Sequence, residues 1–185
     1  MKRLLVVLTL CLAGCVTPEP VSPADAFYQR MSTLCGKSFS GKLVAGNDSD
    51  ADFAKADLRA HARECSDKEI RIAFDVGDDR SRTWIITRTG TGLRLKHRHM
   101  LKNGTEDPIS QYGGDTVNAG TASRQEFPVD GYSRAMFTKD GREVSNTNVW
   151  AFEIAPGRTL MYELARPGRL FRVSFDLAKS RDKAL

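Results

Sequence analysis

Two histidines, His97 and His99, sit one residue apart in a chain of 185 residues. In an extended strand, residues i and i+2 point to the same side, so this pair could offer two ring nitrogens to one metal ion. A catalytic zinc takes a third protein ligand, and Glu106, Asp107 and Asp115 follow without a spacing that selects any of them. The plainer reading makes His97 a hydrogen-bonded residue at one end of the fold, with His99 beside Arg82. A second group is Asp78, Asp79, Arg80 and Arg82. Its guanidinium groups could grip a carboxylate or phosphate through two parallel hydrogen bonds, or they could pair with the aspartates next to them. No Gly-x-Ser-x-Gly, His-Glu-x-x-His, Walker or dinucleotide-binding spacing occurs in the sequence. No cofactor is expected, and whether the chain is an enzyme is left open, with a non-catalytic role preferred.

The cysteines carry a different chemistry. Met1-Lys2-Arg3 followed by the apolar run Leu4 to Leu12 has the layout of a secretory signal, and the run is too short to cross a membrane as a helix. The run ends in Leu12-Ala13-Gly14-Cys15, which resembles the lipobox of bacterial lipoproteins. That resemblance implies cleavage after Gly14 and lipidation of Cys15, and acyl chains would hold the domain at a membrane. Val16 stands where an aspartate would retain some bacterial lipoproteins at the inner membrane, so the expected address is the outer membrane, facing the periplasm. Residues 1–14 are then signal, 15–22 a lipidated N-terminus and proline-rich linker, and 23–185 one domain. Cys35 and Cys65 remain, and an even pair in an oxidising envelope is expected to form a disulfide. The net charge is +5, of which Lys2 and Arg3 supply two, leaving +3 for the mature chain. That is too little for a nucleic-acid module, so no nucleic-acid partner is expected.

Positioning these groups is a matter of strands. Ser22-Pro23 reads as a helix start, and Phe27, Tyr28, Met31 and Leu34 recur at helical spacing before Gly36. From Phe39 onward the period is mostly two. Strands are expected at Leu58–Arg63, Glu69–Val76, Arg82–Thr89 and Leu93–His99, then around Ser123–Phe127 and at Tyr132–Thr138. Three more fall at Thr147–Ile154, Thr159–Ala165 and Leu170–Leu177. Short turns such as Gly90-Thr91, Pro156-Gly157 and Pro167-Gly168 join them, and residues 113–122 read as a polar, glycine-rich rim. Through the Gly90-Thr91 turn, Leu93 falls opposite Arg88, Leu95 opposite Ile86, His97 opposite Trp84 and His99 opposite Arg82. Ala60 likewise faces Phe74 and Ala62 faces Ile72 on the preceding pair. Loops of even length would set Val149, Ala151, Leu160, Tyr162, Leu164, Phe171, Val173 and Phe175 on the inner face. Trp150, Phe152, Ile154 and Met161 would then lie outside, under the helix.

The fold class that follows is mainly β: an antiparallel meander closing into a roughly nine- to ten-stranded barrel, with one N-terminal helix packed outside. In architecture it is similar to the lipocalin, or calycin, barrels. The runs Glu64-Cys65-Ser66-Asp67, Asp79-Arg80-Ser81-Arg82-Thr83-Trp84 and Gly92-Leu93-Arg94-Leu95-Lys96-His97 resemble an uncharacterised family of proteobacterial secreted proteins and lipoproteins. Gln125-Glu126-Phe127-Pro128 and Tyr162-Glu163-Leu164-Ala165-Arg166-Pro167-Gly168 extend that resemblance, which spans about residues 35–177 and brings no activity with it. Three readings remain: a lipid-anchored binding module for a small, partly apolar or anionic ligand or an envelope partner; a metal-dependent periplasmic enzyme using His97 and His99; and a structural envelope lipoprotein. If a small molecule binds, the site is expected to involve Trp84 and His97, with Arg82 and His99 nearer the rim.

Overall fold

The computed structural model describes residues 20–182; the expected signal segment, Cys15 and most of the linker lie outside the described residues. Helix α1 (Pro23–Ser32) starts where the sequence places it, with Ser22 Oγ accepting the Asp25 amide proton at 3.0 Å. Ten antiparallel strands follow: β1 (Lys37–Ala45), β2 (Leu58–Cys65), β3 (Glu69–Val76), β4 (Asp79–Arg88), β5 (Leu93–His99), β6 (Tyr112–Asp115), β7 (Arg124–Pro128), β8 (Val149–Ala155), β9 (Thr159–Arg166) and β10 (Arg169–Asp176). Sequence neighbours pair throughout except β6 with β7, and β1 pairs with β10, so the sheet curls into a nearly closed barrel whose seam lies between β6 and β7. A two-residue strand, β11 (Arg181–Asp182), adds to the start of β1. The architecture is the lipocalin-like meander that the alternation implies.

The registers of the β2–β3 and β4–β5 hairpins match the expected pairings residue for residue, including Ala60 with Phe74 and Trp84 with His97. Small residues face large ones, as a curved inner wall requires. Gly41 serves the same end on β1: a Cβ there would come within 2.6 Å of the Phe175 ring.

Four expectations are corrected. The Ala155–Thr159 pair encloses three residues, Pro156, Gly157 and Arg158, rather than an even number. An odd loop inverts β8 relative to β9, so Trp150, Phe152 and Ile154 point inward with Leu164, Tyr162 and Leu160, while Val149 and Ala151 lie on the opposite face. Tyr132–Thr138 is part of a helix, α3 (Gly131–Lys139), with Asp130 accepting the Ser133 amide proton as N-cap and with Ser133 and Phe137, four apart, on its buried side. The expected rim, 113–122, begins instead as a strand: Tyr112–Asp115 is β6, paired with β5. Its two glycines let three chains approach closely, since a Cβ at Gly113 would fall 1.9 Å from the Leu95 carbonyl oxygen and one at Gly114 1.7 Å from that of Pro128.

The fourth correction concerns what α1 covers: it lies across one end of the barrel, not over a face carrying Trp150, Phe152, Ile154 and Met161. Tyr28 Oη donates to the Ser66 carbonyl in the β2–β3 turn, Asp25 pairs with Arg88 at the end of β4, and Arg30 donates to Ser123 just before β7. Phe27, Tyr28 and Met31 thereby join Ile70, Ile86 and Leu93 in the core. A disulfide between Cys35 and Cys65 ties the chain leaving α1 to the end of β2.

Candidate functional site

The end of the barrel opposite α1 is open. Inward positions there come from the end of β3, the start of β4, the end of β5 and the starts of β6 and β8, and from the β9–β10 turn. They line a cavity of about 360 Å³. Two short segments flank its mouth. One is the β1–β2 connection, where a 3₁₀ turn at Asp48–Asp50 leads into α2 (Ala51–Lys55) and brings Phe53 edge-on to Phe171 at 5.0 Å. The other is α3 with the 3₁₀ turn Glu143–Thr147, which contributes Phe137, Arg142, Ser145 and Asn148.

All four residues singled out from the sequence, Arg82, Trp84, His97 and His99, line this cavity. Their surroundings differ. Trp84 is 2% exposed and is stacked between Phe74 at 4.5 Å and Tyr162 at 4.4 Å, so it forms floor and wall together. His97 is 3% exposed, stacked on Tyr112 and tilted against Trp150. Its Nδ1 lies 3.2 Å from the Tyr112 carbonyl oxygen and its Nε2 2.8 Å from Tyr162 Oη. A carbonyl can only accept, which assigns the ring proton to Nδ1 and leaves Nε2 to accept from the phenol. Burial pushes the His97 pKa down to about 3, so the ring is neutral at physiological pH. Tyr112 Oη meets His99 Nε2 at 2.8 Å, its own pKa pushed up to about 12 by burial, and burial followed by the nearby Arg82 lowers that of His99. The result is a row of neutral polar groups along one side of an aromatic hollow.

These bonds occupy both ring nitrogens of His97 and Nε2 of His99. Glu106 accepts from Ser110 and Gln111, Asp107 from the Ile109 amide, and Asp115 pairs with Arg94 at 2.6 Å. Among the described residues, no three His, Cys, Asp or Glu side chains gather in a metal-holding group. The Asp78–Arg82 cluster resolves into local pairs, Arg82 with Asp79 at 2.6 Å and Arg80 with the buried Asp75 at 3.3 Å.

Further polar lining comes from Asp50, Arg166 and Arg169, which are not among the expected site residues. Asp50 receives two hydrogen bonds from Arg169, one of 2.6 Å, and these hold its carboxyl below the usual range. Arg166 donates to Asn148 Oδ1 at 3.1 Å. The alternation Leu160, Tyr162, Leu164 continues to Arg166 and was a usable signal for it. Asp50 had none, since its partner is 119 residues away. Compared with protein-family models, with curated proteins and with solved structures, the chain matches none.

Proposed function

We propose that the protein is a lipid-anchored binding module of the bacterial cell envelope, held through Cys15 at the outer membrane and facing the periplasm, with its barrel taking a small, partly apolar ligand. The observation that carries this reading is the cavity. About 360 Å³ is within the usual size of small-molecule sites, and it combines aromatic walls with a few convergent polar groups. The lipobox-like Leu12-Ala13-Gly14-Cys15 and the Cys35–Cys65 bridge support an oxidising, extracytoplasmic setting. A metal-dependent role would require His97 to give up its Tyr112 carbonyl or Tyr162 phenol partner.

Native protein, extracted with its lipid and analysed by mass spectrometry, should release a small amphiphile in near-stoichiometric amount. Protein that carries none and binds no member of a chemically varied ligand panel would end the ligand reading. The anchor is tested separately: Cys15→Ala should move the protein from the membrane fraction to the soluble one.

A further inference from the structure

The four arginines lining the cavity are not equivalent. Arg169 is committed to Asp50, Arg82 to Asp79 and Arg142 to Asp140. Arg166 has no carboxylate within ion-pair distance among the described residues. Its hydrogen bond to the Asn148 amide oxygen leaves most of its five N–H donors unengaged. It is the last inward position of β9, partly buried at the mouth, and it pairs across the two-residue Pro167-Gly168 turn with Arg169. Burial and then the Arg169 charge both lower its pKa, as expected of a partly desolvated cation without a counter-ion. The one lining carboxylate outside these pairs, Asp107, sits on the β5–β6 side of the mouth and accepts the Ile109 amide proton.

A partly desolvated guanidinium at the lip of an aromatic hollow is a planar fork suited to a carboxylate or a phosphate. The hollow also limits the body that follows. A dry cavity of about 150 Å³ accepts a benzene-sized molecule, so 360 Å³ has room for about two rings and not for a two-chain lipid. We propose that the cavity takes a small anionic amphiphile, a carboxylate or phosphate monoester on a body of about two fused rings, with its head on Arg166 and its body against Trp84, Tyr162 and Phe171. This rests on the cavity being a ligand site, and the experiment separates the two ideas.

Full-length protein in lipid nanodiscs is titrated calorimetrically with 1-naphthoate, 1-naphthyl phosphate and the uncharged 1-naphthamide, with empty discs subtracted. Both anions should bind at least about tenfold more tightly than the amide, and the stronger of the two identifies the preferred head. Arg166→Gln should bring the anions down to the level of the amide while leaving the amide unchanged. Arg166→Lys, which keeps the charge and loses the fork, should fall between. If acid and amide bind wild-type protein equally, or if Arg166→Gln weakens all three alike, the head-group assignment is wrong and the cavity reading survives. If none of the three binds wild-type protein, the anionic two-ring ligand is wrong altogether, while the cavity reading stands or falls on the native extract and the wider panel.

Discussion

His97 shows how a single residue can be both well placed and already satisfied. Its two ring nitrogens are held by Tyr112 and Tyr162, and its neutral form is built into the fold. In the unfolded chain the same imidazole titrates near 6.5, whereas in the barrel it does so at about 3. Above pH 7 neither state binds the proton, and this group leaves stability independent of pH. Between 6.5 and 3 only the unfolded state takes it up, so stability falls with acidification by about 1.4 kcal/mol per pH unit for this one site. Urea melts of wild-type protein and His97→Gln should therefore diverge below about pH 6. The variant, whose amide can still donate to the carbonyl and accept from the phenol, should lose less stability between pH 6.5 and 5. Parallel pH profiles would show that His97 is not the acid-sensitive group.

At the scale of elements, the seam between β6 and β7 is held by the first turn of α3 rather than by a full ladder. Ser133 Oγ accepts the Gly113 amide proton at 2.8 Å and donates back to the Gly113 carbonyl, the Asp130 amide donates to that same carbonyl, and Lys96 pairs with Asp130 at 2.6 Å. Ser133→Ala leaves a buried N–H without a partner and should cost about 1–3 kcal/mol in a denaturant melt. Gly114→Ala, with no room beside the Pro128 carbonyl, should cost as much or more. Reducing the Cys35–Cys65 bond removes a cross-link over thirty residues, worth about 3–4 kcal/mol on the chain-entropy model. It should lower the melting temperature and speed hydrogen exchange in α1 ahead of the sheet. Where side chains alternated, as from Arg82 to His99, faces and partners were legible in the sequence. Where the signal is an absence of side chains, as in Gly113-Gly114, a strand was not. Tyr132, Phe137 and Thr138 are strand-favouring residue types, while the helix they belong to rests on an N-cap and on two residues four apart. The inverted β8 turned on one residue of loop length, which neither hydrophobic pattern records. Arg166 was missed because the expected strand stopped at Ala165, one residue short of the mouth.

For the molecule as a whole, the two barrel ends have opposite fates. One is stoppered by α1 and bridged by the disulfide; the other is open between two short helical segments. The chain enters the fold at the stoppered end, because Ser22 and Asp25 lie beside Arg88. On the lipid-anchor reading, a fluorophore at Lys68→Cys should be quenched by headgroup-attached quenchers in vesicles carrying the lipidated protein, and one at Val144→Cys should be quenched much less. Equal quenching at both sites would mean that the tether does not orient the barrel. If the orientation holds, the sealed end is the foot and the cavity faces the aqueous compartment. Cargo would then arrive by diffusion or from a partner standing opposite. The leaflet that carries the anchor would be the one surface the cavity never samples, which would make this protein a receiver facing away from its own membrane.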